Sequence, residues 1–204
     1  MVLLVRHGVT PTTGKVLPGR ARGLHLAPEG HAQADAVAAR IASLSRRPVA
    51  LYASPLERTK ETAKPIGEAL GLRVTTDRGL LECDFGEWTG KELAALSKLP
   101  AWNTVQRWPS GFTFPGGESF AAMSTRISAT VARIAAAHAG QTVVAVSHAD
   151  PIKAAVAWAG GVPLDLFQRF VVSPCSVSAI ALSPAGANIL CVNSTASLSE
   201  LALS

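Results

Sequence analysis

The sequence predicts an α/β fold: a largely parallel sheet covered by helices on both faces. Three observations lead there. Short apolar runs of strand length alternate along the chain with longer stretches of helical periodicity, the pattern of strands joined by helical crossovers. Two of those runs, Val2–Val5 and Thr142–Val146, are apolar almost throughout, as strands buried in a sheet core are. The composition can fill such a core, with 48% hydrophobic and 16% charged residues in 204. No internal repeat and no linker interrupts the pattern. A single domain over residues 1–204 is expected, with residues 83–117 as a lid-like excursion over the active edge.

The elements follow in order. Val2–Val5 is a strand that stops at Arg6-His7-Gly8. Pro28-Glu29 opens an Ala-rich helix with Ala34, Val37, Ala38, Ile41 and Leu44 at helical spacing. Val49–Ala53 is a second strand, and Leu56–Leu70 a helix stopped by Gly71. Arg73–Thr76 is a short strand, and Gly79–Gly90 is rich in turns. Lys91–Leu99 and part of Ala101–Trp108 read as helical, and Pro109–Gly117 as a loop. Glu118–His138 is a long helix with Phe120, Met123, Ile127, Val131 and Ile134 as its apolar stripe. Thr142–Val146 is a buried strand, and Pro151–Ala159 a helix ended by Gly160-Gly161. Val177–Leu182 and Asn188–Val192 read as a hairpin at the sheet edge, a place where a second copy can pair. Monomer and homodimer both stay open. The last ten residues are small and polar and are expected to fray.

Composition excludes several classes of function. No apolar stretch approaches the roughly 18 residues of a membrane span. The opening residues lack the parts of a signal peptide, so the cytoplasm is the expected location. Cys83, Cys175 and Cys191 are odd in number and widely spaced, which argues against a disulfide framework or a structural zinc site. Net charge is +5, but the longest basic run is Arg46-Arg47, so no nucleic-acid surface is expected. Arg6, Arg20, Arg22 and Arg58 fall instead at loop or strand ends, a pattern suited to a small anionic substrate.

The chemistry gathers at three strand ends. Arg6-His7-Gly8, Ser54-Pro55-Leu56-Glu57-Arg58-Thr59 and Ser147-His148-Ala149-Asp150-Pro151 each follow a strand. If those strands are parallel neighbours, two histidines and two arginines meet at one edge, where open α/β sheets bind ligands. Such a set can neutralise a phosphoryl group without metal or cofactor. His7 can attack phosphorus, while Arg6, Arg58 and His148 spread charge over its oxygens. A cation in the first turn of a helix faces the positive end of the dipole, so Arg58 asks for an anion. A carboxyl group must then protonate the leaving oxygen. Glu82 is the best candidate, ahead of Asp84 and Glu87. Asp150 reads as an N-cap followed by Pro at the first helical position, with orienting His148 as its alternative. Trp102 and Trp108 are placed for core or lid packing, or to wall a pocket. Thr13, Arg20 and His25 are candidate substrate contacts.

These motifs resemble the histidine phosphatase superfamily, the branch holding cofactor-dependent phosphoglycerate mutases and small bacterial phosphatases. The resemblance rests on Leu4-Val5-Arg6-His7-Gly8, Leu26 with Gly30 and Gln33-Ala34, and Ser54-Pro55-Leu56 with Arg58-Thr59 and Glu61-Thr62-Ala63. It continues through Glu82 with Phe85-Gly86-Glu87-Trp88 and Gly90, Pro115-Gly116-Gly117-Glu118-Ser119, and Val146-Ser147-His148. It implies a three-layer α/β/α sandwich, phosphoglycerate mutase-like, with His7 as nucleophile and Glu82 as acid and base. Arg6, Arg58 and His148 form the implied phosphate pocket. The implied activity is metal-independent hydrolysis of a small phosphorylated metabolite through a phosphohistidine.

The chain departs from the family pattern at Val9, Thr13, Gly23 and Ala149-Asp150, which touches substrate rather than chemistry. Thr13 keeps a donor where the family often carries Asn. The alternative is a phosphoglycerate mutase. Family mutases carry a longer and more basic insertion where this chain has Lys91–Phe114, with only Lys91, Lys98 and Arg107 as cations. An inactive binding module is the third reading, disfavoured because His7, Arg6, Arg58, Glu82 and His148 are all present.

Overall fold

Strand β1 (Val2–Arg6) is apolar at four successive positions, and the computed structural model, which describes residues 1–196, places it inside the sheet with both faces covered. Val2 and Leu4 join one apolar core, whereas Met1, Leu3 and Val5 join another. Strand β4 (Val143–Ser147) divides in the same way, Val143 and Ala145 against Val144 and Val146. A period of two thus sends alternate side chains of each strand into separate helical layers.

The layer under Leu3 and Val5 is built by α1 (Pro28–Ala42) and α2 (Glu57–Leu70), through Val37, Ala38, Ile41, Ala63 and Ile66. The opposite layer, over Val2 and Leu4, comes chiefly from two later helices. Phe120, Met123, Ile127, Val131 and Ile134 form the buried stripe of the long helix Phe120–Ala137, and Ile152, Ala155 and Val156 that of the helix Ala149–Ala159. The three-layer α/β/α sandwich is therefore present.

Strand β2 (Ala50–Ala53) pairs in parallel with β4, and β4 in parallel with β1. The short strand β3 (Val74–Thr76) adds to β2 at one edge. At the other side β5 (Val177–Ser183) runs antiparallel to β1 and folds back as a hairpin into β6 (Gly186–Ser194), giving the order β3-β2-β4-β1-β5-β6. The expected hairpin is there, but only its second strand is the edge. Its first strand docks directly on β1.

Between β3 and the long helix lie two short helices, α3 (Leu93–Leu96) and α4 (Pro100–Arg107). This excursion is anchored rather than draped. Phe85, Trp88, Phe112 and Phe114 pack edge to face or tilted, with ring centroids 4.8–5.5 Å apart, and Phe114 reaches Phe120. Trp102 stacks on Trp88, while Trp108 is 61% exposed.

Two helix starts differ from expectation. Helix α5 (Phe120–Ala137) begins after Ser119, whose Oγ accepts from the Ala122 N–H at 3.0 Å, so Glu118 lies outside the helix. Helix α6 (Ala149–Ala159) begins two residues before Pro151, with His148 as its N-cap. Asp150 is thus a first-turn residue, not the cap. Proline is tolerated there because the first N–H groups of a helix have no intrahelical partner to lose. Among the described residues no helix is long and apolar enough to cross a membrane. The fraying expected of the last ten residues concerns positions that, from 197 onward, lie outside the described residues.

Candidate active site

The parallel strands end in register. Arg6 lies beside Ser147 and Ala53 beside Val146, so the residues that follow, His7, His148 and Ser54, leave the sheet together. Backbone bonds fix the exits: the His7 N–H donates to the Ser147 carbonyl and the Ser54 N–H to the Val146 carbonyl, both at 3.0 Å. The turn after His7 is pinned from the α1/α2 layer. The Gly8 N–H donates to Thr62 Oγ1 at 3.0 Å, and a Cβ on Gly8 would lie 2.5 Å from the Gly30 carbonyl oxygen. A Cβ on Gly30 would lie 2.1 Å from that of Val9. The two glycines let the start of α1 press against the turn that carries His7.

His7 is buried, and its Nδ1 lies 2.8 Å from the Gly8 carbonyl. A carbonyl only accepts, so Nδ1 carries the proton and Nε2 keeps its lone pair. Burial, then the charges of Arg58 and Arg6, hold the imidazole well below its ordinary pKa, so it is neutral. His148 packs against it edge to face at 5.3 Å between centroids. Arg58 donates to His148 Nδ1 at 3.2 Å, which leaves His148 Nε2–H to donate to Ser54 Oγ at 2.8 Å. Burial and Arg58 likewise keep His148 neutral.

Arg58 stands in the first turn of α2, fully buried. It donates to the Gly19 carbonyl and to His148, yet among the described residues its Nε and Nη1 make no hydrogen bond. Arg6 donates to the Val172 carbonyl at 2.7 Å and has a buried Nε in the same condition. Unpaired buried guanidinium donors beside a neutral imidazole are a place for an anion.

A cavity of about 410 Å³ opens onto this cluster. Arg6, His7 and Glu82 reach its wall, while His148 packs against His7 and Arg58 donates to His148. Glu82 is buried, with Oε1 accepting from the Cys83 N–H at 3.0 Å. Burial and the nearby Asp150 charge raise its carboxyl to about 7, against the smaller opposing pull of the Cys83 N–H, Arg58 and Arg6. Its rivals are elsewhere. Asp84 pairs with Arg20 and accepts from the Gly86 N–H, and Glu87 is exposed.

Of the three candidate substrate contacts, Thr13 lines the cavity, its Oγ1 accepting from the Thr10 N–H at 2.9 Å. Arg20 does not. Its guanidinium is spent on the Glu82 carbonyl at 2.9 Å, Glu118 at 2.9 Å and Asp84 at 3.4 Å, so it braces the Glu82 segment from outside. His25 pairs with Glu61 on the surface, away from the cavity. Asp150 does line the cavity, but both nitrogens of His148 are bound elsewhere, so it does not orient that ring. Trp102 and Trp108 are absent from the cavity wall.

Arg126 escaped the sequence reading. Its Nε and Nη2 grip Glu118 at 2.9 Å each, Nη1 donates to the Gly79 and Leu81 carbonyls, and Nη2 also reaches the Glu82 carbonyl at 3.3 Å. Its signal was position: a cation next to the buried stripe of α5, one residue before Ile127, needs partners inside.

Comparison with known proteins identifies the family. Residues 2–195 match the model of the histidine phosphatase superfamily (branch 1). The chain is 34% identical to phosphoserine phosphatase 1 of Hydrogenobacter thermophilus, over 98% of this chain and 94% of that protein. It is 31% identical to a probable phosphoglycerate mutase of Salmonella choleraesuis, over 88% of this chain and 83% of that one. Among solved structures, a putative alpha-ribazole-5'-P phosphatase from Escherichia coli superposes with a TM-score of 0.84 at 26% identity, covering 98% of each chain. A mycobacterial glucosyl-3-phosphoglycerate phosphatase superposes with a TM-score of 0.84 at 24% identity, covering 95% of this chain and 98% of that one.

Proposed function

The chain belongs to the histidine phosphatase superfamily, and we propose that it hydrolyses small phosphate esters by a two-step transfer through His7. It is a phosphoric monoester hydrolase. The observation that carries the mechanism is the tautomer of His7, whose Nδ1–H is committed to the Gly8 carbonyl so that Nε2 is the free nucleophile.

In the first step Nε2 forms a bond to phosphorus as the ester P–O bond breaks, and the leaving oxygen takes the proton of Glu82. In the second, water attacks the phosphohistidine and gives its proton to the Glu82 carboxylate. The N–P bond breaks, orthophosphate leaves, and His7 and Glu82 return to their starting states. Arg6 and Arg58 neutralise the phosphoryl oxygens, and His148 completes the phosphate set by holding Arg58 in place at the positive end of α6. A Glu82 carboxyl raised to about 7 holds its proton for the leaving group and accepts one from water near neutrality. The cycle needs no metal or cofactor. We place it in the cytoplasm, acting on a small phosphorylated metabolite. The mutase reading is weaker, because Lys91, Lys98 and Arg107 all stand off the cavity wall.

The test is hydrolysis of p-nitrophenyl phosphate in EDTA, wild type beside His7→Ala. Turnover unaffected by chelation and reduced at least about a thousandfold in the variant supports the mechanism. Turnover that needs a divalent ion, or that survives in His7→Ala, overturns it. Activation of phosphoglycerate isomerisation by bisphosphoglycerate would make the chain a mutase.

A further inference from the structure

The mechanism gives no substrate contact to two charged side chains of the cavity. Asp150 and Lys153 lie three residues apart on α6 and both line the cavity that holds Arg6, His7 and Glu82. Each side chain is 17% exposed, so the pair faces the cavity rather than open solvent. Their contact is long, 3.4 Å from Lys153 Nζ to Asp150 Oδ1, and Lys153 donates at 2.9 Å to Gln168 Oε1, also in the wall. Among the described residues Asp150 Oδ2 takes no hydrogen bond, and the ammonium of Lys153 has a third proton to give.

We propose that Asp150 and Lys153 form a subsite for a leaving group that carries both an ammonium and a carboxylate, so that the substrate is an O-phosphorylated amino acid. The inference rests on the phosphatase reading above. Arg6 and Arg58 answer the phosphoryl charge, and a protonated Glu82 is neutral. What remains in the cavity is one negative and one positive side chain. A leaving group with only a carboxylate meets Lys153 but crowds Asp150, and one with only an ammonium does the reverse. A neutral leaving group leaves the weak pair as it stands and gains nothing from either charge. A zwitterion gives each charge a partner of its own, with Asp150 accepting from the ammonium and Lys153 donating to the carboxylate. The apolar remainder of the wall, Leu17, Phe85 and Phe170 among it, strengthens such pairs by excluding water.

Four esters separate the cases: O-phosphoserine with both charges, O-phosphoethanolamine with the ammonium, 3-phosphoglycerate with the carboxylate, and glycerol phosphate with neither. kcat/KM for O-phosphoserine should exceed that for each of the others by about tenfold or more, the worth of a charge-assisted hydrogen bond. Asp150→Asn should erase the advantage of the two esters with an ammonium, and Lys153→Met that of the two with a carboxylate. Ratios between esters are read within each variant, so a loss common to all four cancels. A flat ranking in the wild type, or any of the other three esters in first place, overturns the subsite while p-nitrophenyl phosphate is still cleaved. Loss of p-nitrophenyl phosphate cleavage in the wild type would instead sink the phosphatase reading beneath it.

Discussion

The two ends of the catalytic cavity are built differently. At the phosphate end, Arg6, His7 and His148 come from or directly follow the strands β1 and β4, and Arg58 from the first turn of a helix packed on that sheet. Their positions are fixed by sheet register. At the leaving-group end, Thr10, Thr13, Phe85, Leu93 and Gln168 come from loops and short helices. On the reading proposed above, the chemistry rests on the most buried strands of the protein, and selection of the ester rests on Asp150 and Lys153 of α6 with the loops and short helices around them.

The difference can be broken first at the phosphate end. Arg58→Met should lower kcat/KM by about a thousandfold for every ester alike, because it removes charge stabilisation common to all of them. A loss below tenfold, measured with p-nitrophenyl phosphate, would take Arg58 out of the site. Glu82→Gln should act at the junction of the two ends. Alkyl phosphates should slow by about a hundredfold or more, while p-nitrophenyl phosphate, whose leaving group needs no proton, should slow far less. Equal losses would assign the acid to another residue.

Titration sharpens the same point. The Glu82 carboxyl is raised to about 7 by burial and by Asp150, so alkyl ester hydrolysis should fall as pH rises through about 7. On the acid side it should persist below the usual imidazole range, since His7 is held well below it by burial and by Arg58 and Arg6. Folded Glu82 binds its proton more tightly than unfolded Glu82. Its contribution to stability is therefore full below the ordinary carboxylate range and is lost as pH rises through about 7. Glu82→Gln should accordingly gain Tm relative to wild type at alkaline pH and not at acid pH, read by thermal unfolding at both. The smallest effect belongs to Arg20→Leu, which should lower Tm by a few degrees and kcat by less than about tenfold. The ranking of esters should not change. A selective rise in KM for one ester would return Arg20 to the substrate.

What the sequence made legible follows the same division. Apolar runs that end in His or Ser-His are local signals, and the parallel register needed only adjacency to bring His7, Ser54 and His148 together. Glu82 was proposed from the need for a carboxyl group, ahead of Asp84 and Glu87, and the structure brings it to the cavity wall beside His7. The failures concern groups whose partners are remote and loop-borne. Arg20 lies 62 residues from the Glu82 carbonyl it holds, and Arg126 lies 47 from Gly79, contacts that no periodicity encodes. The start of α6 was misplaced because proline was taken as the first helical residue when it is the third, and that shift turned Asp150 from a cap into a cavity residue.

The unpaired donors of Arg58 and Arg6 have a thermodynamic side. A folded chain that keeps buried cationic N–H groups without acceptors forgoes stability that an anion can restore, so ligand occupancy and folding draw on one free energy. Orthophosphate, the product of hydrolysis, is expected to bind the folded form alone. At about a hundred times its dissociation constant it should add about 2.7 kcal/mol to unfolding, visible as a concentration-dependent rise in Tm that Arg58→Met abolishes. The reaction's own product would then protect the enzyme that makes it while slowing its turnover, so that phosphate-rich conditions favour a longer-lived and less active catalyst.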